Sequence, residues 1–118
     1  MSVSPSFRSF AVEQLARTTP TIRARTMFGG VGIYAADLFF ALLADDTLYF
    51  KVDNNTRGEF VARGMEPFRP YGDTGEVMQY YEVPEDVLED PEVLGKWVEA
   101  AITVARNAKR GRPRRRGA

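Results

Sequence analysis

The sequence predicts an α+β domain built as a two-layer sandwich, with an antiparallel sheet covered on one face by helices. Apolar residues recur at helical spacing near both ends of the chain, whereas the stretch between them is cut into short apolar runs separated by turn residues. The separators within the first runs are too short to hold crossover helices, so neighbouring strands must return antiparallel. The resulting order is α-β3-α-β2-α.

The first helix starts at Ser4-Pro5, where a hydroxyl can cap the first turn and proline suits the first helical position. Phe7, Phe10, Ala11 and Leu15 follow on one face, and Pro20 ends the segment. Strand-like runs come next: Thr26, Met27 and Phe28, then residues 31–34, 38–43 and 48–52. Ala35-Ala36-Asp37 and Ala44-Asp45-Asp46 are hairpin-length links between them. Thr56 and Glu59 have capping-box spacing and predict a short second helix that stops at Gly64. Pro67 and Pro70 flank Phe68 and Arg69, which predicts an edge strand, because proline cannot donate to a ladder. Residues 72–75 form a turn, and residues 77–83 form a strand rich in β-formers. Asp90-Pro91 repeats the cap-then-proline start, and Leu94, Trp97, Val98, Ala101, Val104, Ala105 and Ala108 mark one face of a long last helix. The chain thus divides into one domain over residues 1–108 and a basic tail over 109–118, rich in Gly, Pro and Arg and read as disordered when free.

At 118 residues the chain suits a single core. It has no cysteine and no histidine. Thiolate and imidazole metal sites and the usual proton shuttle near neutral pH are therefore excluded. The serines stand only at Ser2, Ser4, Ser6 and Ser9, with no histidine to activate them. Asp45, Asp46, Asp53 and the acidic stretch 85–92 lack EF-hand spacing and read as a solvated surface rather than a metal site. Gly29-Gly30 with Gly32 lacks both the dinucleotide fingerprint and the lysine of a phosphate loop, so these glycines predict a bulge or a tight hairpin. The expectation is a non-enzymatic protein with no catalytic residue, metal or cofactor. Without a leader-like N-terminus or a membrane-length apolar run, it is expected in the cytoplasm.

A series of short motifs runs through the chain: Arg25, Met27-Phe28-Gly29-Gly30, Gly32-Ile33-Tyr34, Phe40-Ala41-Leu42, Leu48-Tyr49-Phe50-Lys51-Val52-Asp53, Gly64, Pro67-Phe68, Tyr80-Tyr81-Glu82-Val83-Pro84, and Leu94 with Trp97. In this order they resemble the N-terminal domain of the TfoX/Sxy proteins, regulators of natural competence, from about Phe7 to Ala108. The resemblance implies the same α-β3-α-β2-α plan and supplies no catalytic residue. Full-length members carry a second, helical domain, whereas an arginine-rich tail follows Ala108 here, as in a stand-alone form.

Net charge is zero, but Arg106, Lys109, Arg110, Arg112, Arg114, Arg115 and Arg116 carry seven of the sixteen basic side chains. With these seven set aside, nine basic residues face sixteen acidic ones, a balance of −7. Lys109-Arg110-Gly111-Arg112-Pro113-Arg114 resembles an AT-hook, whose Arg-Gly-Arg-Pro core lies in the narrow minor groove of A·T-rich DNA. Together with Arg115 and Arg116 it forms the candidate contact to A·T-rich DNA or another polyanion. Along Tyr49-Phe50 and Tyr80-Tyr81, alternation sends neighbouring rings to opposite sheet faces, so a second buried surface is expected, most simply a homodimer seam. The leading expectation is an accessory regulator of the TfoX/Sxy type, associated with DNA through its tail. The other is a dimeric protein-interaction or chaperone-like module, indifferent to DNA, with a protein partner the residues do not identify.

Overall fold

The computed structural model describes residues 2–27, 29–69 and 79–111. Among these the order is α1 (Pro5–Thr18), β1 (Ile22–Met27), β2 (Gly30–Ala35), β3 (Leu38–Ala44), β4 (Thr47–Lys51), α2 (Arg57–Ala62), β5 (Tyr80–Glu82), α3 (Glu85–Leu88) and α4 (Pro91–Gly111). The strands form one sheet in chain order, each antiparallel to its neighbour. This is the expected α+β class with a five-stranded antiparallel sheet. The strands are distributed differently from the sequence reading, however, with four before α2 and one after it.

The difference has two physical sources. β1 alternates half-buried Ile22 and Ala24 with exposed Arg23 and Arg25, so it lacks the continuous apolar run that marks its neighbours. The Pro67-Phe68 segment does reach the sheet edge, but it makes only an isolated bridge between Pro67 and Tyr81. Phe68 N donates to Tyr80 O at 2.7 Å and Glu82 N donates to Glu66 O at 2.9 Å, while Pro67 has no N–H to extend the ladder.

Helix ends follow local chemistry. Ser4 Oγ accepts from Phe7 N at 3.2 Å, as its capping position requires. Before α2, Thr56 makes no side-chain cap; Asp53 Oδ1 instead accepts from Asn55 N and Thr56 N, while Thr56 Oγ1 accepts from Asp53 N. The expected capping box is replaced by this reciprocal turn. Gly64, at φ +77°, then closes the segment, a conformation that favours glycine. The acidic stretch before Asp90 contains α3, a single turn the sequence reading did not contain. α4 also continues beyond Ala108, through Lys109 and Arg110, to Gly111. The apolar face marks where packing stops, whereas Lys and Arg are good helix formers that favour a C-terminal turn.

The four helices share one face of the sheet. Ala11 and Leu15 of α1, Phe60 of α2, Val87 and Leu88 of α3, and Leu94, Val98, Ala101 and Ala105 of α4 join Val31, Ile33, Leu43, Leu48 and Phe50 in a single core. A register shift between Ile33 and Tyr34 leaves Phe40 as an extra residue in β3. Phe40 and Ala41 are both fully buried in the core, and Phe39 falls opposite Tyr34 on the other face.

Candidate interaction face on the outer side of the sheet

The side of the sheet away from the helices collects residues at alternate positions. Register aligns Arg23 with Tyr34, Arg25 with Gly32, and Tyr34 with Phe39. The rings make a continuous row: Tyr34 stacks on Phe39 with centroids 5.1 Å apart, and Phe39 meets Tyr80 at 5.8 Å. A cation closes each end. The Arg23 guanidinium carbon lies 5.5 Å from the Tyr34 centroid, and Lys51 Nζ lies 5.0 Å from that of Tyr80. Beside the row, Tyr49 packs against Phe68 at 5.0 Å.

The expected division of aromatics is therefore present. Tyr49 and Tyr80 lie on the outer face, while Phe50 enters the core and Tyr81 packs on Phe60. Tyr80 is only 5 % exposed, with the Phe39 ring and the Lys51 ammonium group both set against its own ring. That burial pushes its phenol up to about 12, with Tyr34 adding a smaller electrostatic contribution. Burial also raises the Tyr49 phenol, helped by the charges of Glu82 and Asp45.

The glycines serve this packing. Gly29 turns the chain between β1 and β2 at φ +81°. A Cβ on Gly30 would lie 2.6 Å from the Leu43 carbonyl oxygen, and one on Gly32 would lie 2.7 Å from the Met27 methyl and 3.2 Å from the Phe39 ring. Close strand approach accounts for Gly30, in keeping with the tight-hairpin reading, whereas at Gly32 side chains of the neighbouring strands fill the space. Of the motif residues, Arg25, Met27, Gly30, Gly32 and Tyr34 thus share the outer side of β1 and β2, and Lys51 joins them at the end of β4. Phe28 lies outside the described residues. Sequence reasoning passed over Arg23 and Phe39; period-two alternation along Arg23-Ala24-Arg25 was the available signal for the first, whereas the second depends on the β3 bulge.

The candidate DNA-contacting residues stand elsewhere. Lys109 and Arg110 occupy the exposed last turn of α4, and Lys109 Nζ pairs with Asp37 Oδ2 in the turn between β2 and β3. This pairing holds the Asp37 carboxyl below its ordinary range. Gly111 ends the helix, while Arg112, Pro113, Arg114, Arg115 and Arg116 lie outside the described residues, as does Tyr71. The carboxylates of Asp45 and Asp46 accept from the backbone N–H groups of Ser2 and Ser4. Among the described residues no group of three or more Asp or Glu is placed to hold a metal ion, and no helix is long and apolar enough to cross a membrane.

No curated protein matches the chain. The sequence model described as the TfoX N-terminal domain matches residues 13–105, a span that runs from α1 into α4 and includes the whole sheet. With this match over most of the chain, the protein belongs to the TfoX N-terminal domain family.

Proposed function

We propose that this chain is a non-enzymatic, cytoplasmic accessory regulator of the competence-related kind, whose outer sheet face docks a protein and whose basic C-terminal residues bring it to DNA. The observation that supports the reading best is the cation-capped row Arg23, Tyr34, Phe39, Tyr80 and Lys51 across a face that carries no helix among the described residues. Aromatic side chains and arginine are the types enriched at the energetic centres of protein interfaces. The partner on this face is a second copy of the chain, and DNA is met through Lys109, Arg110, Gly111, Arg112, Pro113, Arg114, Arg115 and Arg116.

A gel-shift series tests the DNA limb, using the full chain and a chain ending at Ala108, on A·T-rich and G·C-rich duplexes. With five contacts from Arg110, Arg112, Arg114, Arg115 and Arg116, the log–log salt slope is near about −4.5, and it falls towards zero on truncation because the remaining body repels phosphate. Minor-groove reading adds a preference for A·T-rich duplex that Arg112→Ala reduces. Equal, equally salt-sensitive binding by both chains rejects the tail as the DNA contact. Light scattering tests the other limb: a dimer mass for the full chain and a monomer mass for Phe39→Glu support docking through the outer face.

The second reading is a dimeric interaction module that does not bind DNA. It is favoured by Lys109, whose charge is already paired with Asp37. A dimer with no gel shift on either duplex selects it.

A further inference from the structure

On the helix-bearing side, α1, the β3–β4 turn, the end of β5 and α3 enclose a groove of about 420 Å³. Phe7, Phe10 and Leu48 contribute an apolar floor, and Phe10 leaves 40 % of its surface exposed. Asp46, Glu82, Glu85 and Glu89 stand around it, and among the described residues no Lys or Arg lines it. An apolar floor under unneutralised carboxylates fits a cation with a flat, weakly hydrated head. Guanidinium has that shape: it stacks on aromatic faces and bonds carboxylates in pairs, whereas ammonium stays hydrated.

We propose that this groove receives the arginine-rich segment of a second copy, with Arg112, Arg114, Arg115 and Arg116 as the inserted groups. The chain carries its densest run of arginine there, while residues 1–108 hold ten basic and sixteen acidic side chains, a balance of −6. A second copy is required by distance. The groove includes Glu85 and Leu88, just before α4 begins, whereas Lys109 near its end pairs with Asp37. The 21 residues of α4 span about 31 Å. Extended chain covers about 3.4 Å per residue, so the Arg116 backbone, five residues past Gly111, reaches back only about 17 Å, and one side chain does not close the gap that remains to α3. The β3–β4 turn likewise lies a full strand away from Asp37. The contact is head-to-tail, and it stands whether or not the same arginines bind DNA.

The experiment is a dilution series of the isotope-labelled full chain, from millimolar to micromolar, read by amide chemical shifts. The expected result is a concentration-dependent shift of Phe10, Thr47, Glu85 and Glu89 that added salt removes. An unlabelled peptide with the sequence of residues 109–118 should reproduce it in the dilute sample. Glu85→Gln with Glu89→Gln should weaken peptide binding about fivefold, the scale of two exposed ion pairs. Phe10→Ala should weaken it as well, and so should replacing the four arginines by lysine at unchanged charge, because stacking is lost. Concentration-independent shifts overturn the proposal, since they place the segment on its own chain. Shifts spread over Glu59, Glu92 and Glu99 and indifferent to Phe10→Ala also overturn it, as general attraction to an acidic surface. Salt-sensitive, concentration-dependent shifts at the groove without a gel shift retain this contact and reject DNA binding; a gel shift without those shifts does the reverse.

Discussion

Gly30 and Gly32 lie two residues apart on β2 yet tolerate a methyl group differently. The Cβ of Gly30→Ala meets the Leu43 carbonyl oxygen, a backbone atom fixed by the sheet, so β2 or β3 must shift. Urea unfolding should show a loss of about 1–3 kcal/mol, the usual cost of overpacking. Gly32→Ala meets first the Met27 methyl, which can rotate aside, and should cost less. Equal costs would place the constraint in backbone entropy rather than in these contacts. Tyr80 gives a second residue-scale prediction. Its phenol is held to about 12 in the fold, while an unfolded tyrosine ionises near about 10. Between these values the unfolded chain releases a proton that the folded chain keeps. The contribution to stability is therefore complete below pH ~10 and lost as pH rises through the folded value. Alkaline spectrophotometric titration should show a late tyrosine component that Tyr80→Phe removes. The separation of Tyr49 from Phe50 was legible in sequence because strand alternation is strict. The partner of Tyr34 was not, because the extra residue at Phe40 sets it and no local residue type marks that bulge.

Among the elements, α1 is joined to α3 by one buried polar contact. Gln14, 8 % exposed, donates from Nε2 to the carbonyl oxygen of Leu88 at 2.9 Å. Leu88 is the last residue of a single-turn helix, where carbonyls lack intrahelical donors. Gln14→Met keeps the volume but removes the donor, and should lower stability by about 1–2 kcal/mol in chemical denaturation. An unchanged midpoint would show that Leu88 O finds another donor. The sequence pattern revealed α1 and the start of α4 well, since a capping group and a proline precede each one. It missed α3, because four residues are too few for an apolar period to show. It placed the end of α4 at Ala108 because packing, and not the backbone hydrogen-bond ladder, is what periodicity reports. The expected capping box at Thr56 failed for a related reason: Asp53, outside the motif, accepts from the Thr56 N–H that Glu59 would take, and its own N–H donates to the Thr56 hydroxyl in place of Glu59 N.

The whole molecule is a simple meander closed by its two ends, since α1 packs on α4 and α4 lies over β3 and β4. Class, antiparallel direction and the single helix-covered face could be read from apolar spacing, whereas the expected strand total agrees only because a missed strand before α2 offsets the Pro67-Phe68 segment that makes an isolated bridge. The outer face could be read only in part. Its aromatics were visible, but the row that joins Arg23 to Lys51 depends on register across strands that are far apart in sequence.

α4 comes last in the chain, and that position matters during synthesis. A ribosome releases all five strands before Leu94, Val98, Ala101 and Ala105, the residues that seal the inner face, have emerged. At about 5–20 residues per second, Ile33, Leu43 and Phe50 wait several seconds with α1 as their main cover. The nascent chain is thus a half-roofed sheet whose apolar side is open to holdase chaperones or to other nascent chains. A chain that stops at Asp90 should preserve that state. It is expected to enter the insoluble fraction on expression, or to bind a hydrophobic dye strongly, and to become soluble when a peptide of residues 91–111 is supplied in trans. A soluble truncated chain that ignores both dye and peptide would show that α1 alone roofs the sheet.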